Sequence, residues 1–146
     1  MPLSDLITLL QLSIGPVILI SGVGLILLSM TNRLARVIDR SRLLSREIKH
    51  ASNTDRICIL AELKILSSRA SIARAGIALA VLSILLTSLL VVSLFIGALL
   101  QIDIVAMIVT LFILGMLSLV CSLILFLADI NRSLKALWLE VPAEGR

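Results

Sequence analysis

The sequence predicts an all-α membrane protein, with three transmembrane helices and a cytoplasmic helical hairpin between the first and second. Three observations predict it: the length of its uncharged blocks, the one-sided placement of its basic residues, and two apolar seams at helical spacing inside the basic segment.

The uncharged blocks come first. The chain is 60% hydrophobic, with a mean hydropathy of +1.18 and 15% charged residues; soluble domains run nearer ~45–50% apolar and ~25% charged. Residues 6–30, 75–101 and 104–128 contain no Asp, Glu, Lys or Arg in 25, 27 and 25 residues respectively. A helix needs about 20 apolar residues to cross the hydrocarbon core, so each block suffices with some length spare for tilt. Membrane β-strands would be about 10 residues with alternating polarity, a pattern these blocks lack. The first block is read as a span rather than a cleaved signal peptide, because no basic region precedes it and no small-residue cleavage site follows it.

Orientation follows from the cations. Of the 13 Lys and Arg, ten lie in residues 31–74: Arg33, Arg36, Arg40, Arg42, Arg46, Lys49, Arg56, Lys64, Arg69 and Arg74. The segment before the first span has only Asp5, and the turn at 101–103 only Asp103. Basic residues collect on the cytoplasmic side, so residues 31–74 and 129–146 are expected there, with the N-terminus and the Asp103 turn outside.

Residues 31–74 carry the third observation. Leu34, Val37, Ser41, Leu44, Ile48 and Ala51 are spaced 3-4-3-4-3, and Ile59, Leu63, Leu66, Ala70 and Ala73 are spaced 4-3-4-3. Each set makes a narrow apolar seam along a helix. Between them His50–Asp55, "HASNTD", is rich in turn and capping residues, Ser52, Asn53 or Thr54 being suited to cap the second arm. Neither Gly nor Pro separates Met30 from Thr31, so each arm should run directly into its span, reaching ~30 Å at 1.5 Å per residue. The seams are suited to pack on each other or on other subunits. The tail at 129–146 contains an amphipathic helix candidate, with Leu134, Leu137, Trp138 and Val141 on one face and Trp138 as an interface anchor. Cys58 and Cys121 are expected as small apolar thiols, in no metal-ligand spacing.

The first span holds a further pattern. Thr8, Gly15, Gly22, Ser29 and Arg36 recur every seven residues, and Gln11, Arg33 and Arg40 fall near the same line at 100° per residue. Ile18 and Leu25 interrupt this stripe, and Pro16 is placed to kink the helix. One reading is a packing seam, because membrane helices meet through small residues and polar hydrogen bonds. The other is a path lined by first spans of several copies. The arginines fix topology and snorkel to lipid phosphates; each is worth about 1 kcal/mol near an anionic surface. Asp129, at the end of the third span, is the expected partner of Arg33 or Arg36, since an acid at that depth is costly if turned to lipid.

The first span with its Pro and Gly, followed by "TNRLARVIDRSR" at residues 31–42, resembles a bacterial membrane-protein family catalogued as Domain of Unknown Function 2721. The resemblance covers the chain through the third span and implies three spans and a bacterial inner (plasma) membrane location. It implies no activity, substrate or catalytic residue.

Functionally, no catalytic, cofactor-binding or metal-binding residue is expected. One His, at position 50, and scattered single acids supply no general acid–base pair, and no phosphate loop is present. The pI of 9.8 is assigned to topology and anionic lipid rather than nucleic acid, since stacking aromatics are missing from the basic segment. Two readings follow. One is a homo-oligomeric ion channel or pore lined by the first span; a single three-helix chain is too small to enclose a solvated path, so several copies are needed. The other is a non-conducting scaffold or regulator, using the cytoplasmic hairpin for protein or anionic-lipid interaction.

Overall fold

The computed structural model describes residues 3–48, 53–101 and 103–140, with side-chain surroundings described for residues 4, 7–48, 55–101 and 103–131. It contains three α-helices: α1, Leu3–Glu47; α2, Asn53–Leu100; and α3, Val105–Glu140. All three are long and apolar enough to cross a membrane.

α1 has 45 residues and α2 has 48. At 1.5 Å per residue each is about 70 Å long, against ~30 Å of hydrocarbon. The excess lies in the basic segment, where both helices continue unbroken out of their uncharged blocks. α1 also runs through Pro16; a missing N–H is tolerated where neighbouring groups satisfy the freed carbonyl. Hydroxyls within the uncharged blocks bond inside the fold: Ser13 Oγ donates to Leu9 O at 2.8 Å and Thr110 Oγ1 to Ala106 O at 2.8 Å.

The amphipathic tail does not form a separate helix. α3 passes through Asp129 and on to Glu140 without a break, because no Gly or Pro stands between Asp129 and Glu140 to end it. At the other end, α2 stops at Leu100 and Gln101 takes a left-handed φ of 54°. Such a residue terminates a helix, though Gln does so at a steric cost that Gly avoids. Asp103 Oδ1 then accepts from Val105 N at 3.3 Å, satisfying an orphan donor at the start of α3.

α2 lies between the other two helices and packs on both; α1 and α3 touch each other little. The α2–α3 interface is built from small and polar residues. Gly76, Ala80, Ser83, Thr87 and Leu90 are buried at 4-3-4-3 spacing, facing buried Gly115, Ser118 and Ser122 on α3. Three serines donate across it: Ser83 Oγ to Gly115 O at 2.9 Å, Ser118 Oγ to Leu79 O at 2.8 Å and Ser122 Oγ to Gly76 O at 2.7 Å. In lipid such bonds are worth on average ~0.6 kcal/mol each, up to ~1.7. Large side chains point outward instead, Leu25 at 72% exposure and Leu99 at 71%. That is the arrangement lipid permits and water penalises.

In the basic segment α1 and α2 close on each other. Leu34, Val37, Ser41, Leu44 and Ile48 on one arm, and Ile59, Leu63, Leu66, Ala70 and Ala73 on the other, are all buried or half-buried. Leu44 is 2% exposed and Leu66 9%. The two seams therefore meet within one chain. His50, Ala51 and Ser52 lie outside the described residues.

Candidate functional site: the first-helix stripe and its arginine cleft

The face of α1 toward α2 is set by Ser13, Val23, Met30 and Leu44, all buried. Within the uncharged block the stripe lies about a quarter-turn or more away by helical phase, whereas toward the hairpin Arg33 and Arg40 come roughly 40–60° from Met30 and Leu44. Thr8, Gln11, Gly15, Gly22, Ser29, Arg36 and Arg40 are accordingly exposed, and Arg33 is half-buried. A β-carbon added at Gly15 or Gly22 would meet nothing within 4 Å. The small residues of the stripe thus serve no packing inside the chain. Gln11 makes no hydrogen bond among the described residues, whereas Thr8 Oγ1 donates to Ser4 O at 3.0 Å.

Two contacts show which way the stripe faces. Gly15 borders an apolar gap of about 260 Å3 whose other walls include Leu19 of α1, Thr87 and Leu90 of α2, and Phe112 and Met116 of α3. At the hairpin end, Arg33 Nη2 lies 3.5 Å from Asp129 Oδ2 on α3, and its guanidinium sits 5.8 Å from the Phe126 ring centroid. The stripe therefore turns toward the open side between α1 and α3, with α2 as the floor. Of the two arginines considered for Asp129, Arg33 is the one in contact. Asp129 is buried, its side chain 9% exposed, and a carboxylate so placed is held by a cation beside it.

Below Arg33 an open cleft of about 270 Å3 is lined by Arg33, Arg36, Arg40 and Arg69, with Asp129 and the apolar side chains of Leu34, Val37, Leu66 and Ala73. Arg40 is paired across the hairpin with Glu62, Nη2 to Oε1 at 3.2 Å and Nε to the same oxygen at 3.3 Å. Both side chains are about half exposed, so this pair orients Arg40 more than it stabilises the fold. Arg36 has no ion pair among the described residues. Sequence reasoning placed Arg33, Arg36 and Arg40 on one line but missed Arg69. It comes from the other arm, where it follows Leu66 by one helical step and so borders the same seam.

The family comparison fits this architecture. A family model described as a protein of unknown function, DUF2721, matches residues 13–139. The chain belongs to the DUF2721 family. The match begins within the uncharged part of α1, takes in the whole hairpin and α2, and ends one residue short of the described end of α3. No curated protein and no solved structure matches the chain. The serines of the α2–α3 interface went unread in the sequence, although their 3-4 spacing with Gly76 and Gly115 was available there.

Trp138, expected as an interface anchor, is on the helical backbone of α3, and its side chain lies outside the described ones. Asp103, in the turn at 101–103, is exposed and bonded to the first turn of α3.

Proposed function

We propose that this DUF2721 protein is a non-enzymatic, homo-oligomeric membrane protein, channel-like in form, in which the α1 stripes of several copies face a common axis. In this reading the hairpin and the end of α3 are cytoplasmic, as the ten basic residues of the hairpin indicate, and the protein resides in a bacterial inner membrane. The observation that carries the proposal is the uncovered stripe: Thr8, Gln11, Gly15, Gly22, Ser29 and Arg36 remain exposed after the chain has packed on itself. An amide such as Gln11 facing hydrocarbon without a partner is unfavourable, and another copy or a hydrated path relieves it.

The test is ion flux from liposomes containing purified protein, comparing wild type with Arg36→Gln and Arg36→Glu. A stripe that lines the path makes flux or its selectivity follow the charge at position 36, because a charge within a pore changes the local ion concentration. Flux indifferent to position 36 removes α1 as the lining.

A second reading has its own observation. With the seams closed inside the chain, the hairpin still exposes Leu43, Ile57, Leu60 and Ile65 on its outer faces. Those residues favour a non-conducting scaffold that engages a protein through the hairpin. Oligomers that form but conduct under no tested ion or voltage favour this reading.

A further inference from the structure

We propose that the arginine cleft is a binding site for a phosphate monoester or diester, supplied by the headgroup of an anionic lipid. The inference stands on the geometry of one chain and on its membrane location, and does not require self-association.

Charge is the first support. Four guanidinium groups border the cleft and one carboxylate, Asp129, joins them. Asp129 lies beside Arg33 and Glu62 holds Arg40, which leaves the charge of Arg36 without an ion pair among the described residues. Guanidinium forks suit phosphate oxygens, which they meet with two parallel N–H bonds. Arg33 and Arg40 are each pinned by a carboxylate, so two of the donor groups are already oriented before an anion arrives. Arg36 lies between them in sequence without an ion pair among the described residues, and its charge is free to meet the ligand.

Depth is the second. The uncharged run of α1 ends at Met30, and Arg33 and Arg36 follow three and six residues later. On a helix these steps put them about 4–9 Å beyond the end of the run. The headgroup layer on each side of the hydrocarbon is about 5–8 Å thick. The end of the cleft nearest the membrane, at Arg33 and Arg36, thus opens at about the level where lipid phosphates reside, and Arg40 lies farther out.

Shape is the third. A volume of about 270 Å3 corresponds to roughly nine water molecules at ~30 Å3 each, room for a phosphate with part of its glycerol. Leu34, Val37, Leu66 and Ala73 wall it with apolar groups, which lowers the local dielectric and strengthens the attraction relative to a flat basic surface.

The experiment uses full-length protein in detergent micelles titrated with phosphatidylglycerol, with lipid retained per chain read by native mass spectrometry. Phosphatidylcholine is the zwitterionic comparison and inorganic phosphate the competitor. The variants are Arg36→Gln, Arg36→Glu and, at the far end of the hairpin, Arg46→Gln. Arg36 is exposed, so its replacement leaves helix content intact, which circular dichroism verifies. Phosphatidylglycerol should be retained in preference to phosphatidylcholine. Arg36→Gln should weaken retention about five-fold and Arg36→Glu more than tenfold, with Arg46→Gln unchanged. Equal weakening by Arg46→Gln, or none by Arg36→Glu, overturns the site. Release of bound phosphatidylglycerol by millimolar inorganic phosphate overturns the lipid headgroup as the occupant, and retention in its presence supports it.

Discussion

A side chain added at Gly22 has open space around it, whereas a β-carbon at Gly76 meets Leu125 Cβ and Met30 Cε at 3.5 Å and Ser122 O at 3.7 Å. The same substitution therefore asks different questions at the two positions. Gly22→Leu should leave the melting temperature of the isolated chain nearly unchanged and disrupt oligomers, read by cross-linking in membranes. Gly76→Leu should lower the melting temperature itself, since overpacking costs about 1–3 kcal/mol or more. Intact oligomers in Gly22→Leu would show that the stripe is not a contact between copies. Val23, next to Gly22 and off the stripe, is not a neutral control, because it is buried against the rest of the chain. Val17, 52% exposed and far from the stripe by helical phase, takes that role as Val17→Leu. At Asp129, replacement by Asn should cost about 1–2 kcal/mol, because Arg33 is only partly screened at this boundary. The double variant with Arg33→Gln should lose less than the sum of the singles, measured by thermal unfolding in detergent. Sequence narrowed the partner of Asp129 to two arginines; helical phase and the packing of α3 select Arg33.

At the scale of the elements, the hairpin was the most legible feature, because a 3-4 repeat specifies a helix and its contact face together. What the repeat left open was the identity of the opposing surface. Leu44 and Leu66 are now the most buried seam residues, with Leu63 only half-buried. Leu44→Asp or Leu66→Asp should destabilise the hairpin by about 3–5 kcal/mol through an uncompensated buried charge. Leu63→Asp should be milder, and exposed Arg46→Asp milder still. Limited proteolysis of the segment between the spans reads the difference, and equal rates for Leu44→Asp and Arg46→Asp would mean that the seam is not closed. The α2–α3 interface was less legible. Ser83, Ser118 and Ser122 each resemble an ordinary small residue in a span until the opposing carbonyl is placed. Ser122→Ala should cost about 0.6–1.7 kcal/mol.

For the whole molecule, the charge asymmetry sets the expected orientation in the membrane. In a background lacking Cys58 and Cys121, both exposed, single cysteines near Ser4 and Gln101 should react with an impermeant thiol reagent added to intact cells. A cysteine at Ser52 should not, and labelling there would reverse the orientation. The chain's shape bears on assembly as well. With α1 and α3 both resting on α2 and little contact between them, one side of the molecule is open, and the stripe turns toward it. A compact three-helix bundle would have covered that face.

Three helices, the uncharged runs long enough to span and an apolar seam on each arm of the hairpin were legible in the residues alone. These follow from local quantities: the length of an uncharged run, the spacing of apolar residues, and the missing breakers at Met30–Thr31 and Arg74–Ala75. Tertiary structure alone decided that the seams close within one chain, that α2 is central, that Arg33 rather than Arg36 meets Asp129, and that Arg69 completes a cleft with three arginines of α1. The physical reason is that lipid is as apolar as the side chains it surrounds. A hydrophobic face in a membrane does not declare which neighbour it meets. That choice rests on close packing at Gly76 and Gly115, on serine hydroxyl bonds between residues 32 to 46 positions apart and on the ion pair of Arg33 with Asp129, and these exist only once the helices are placed.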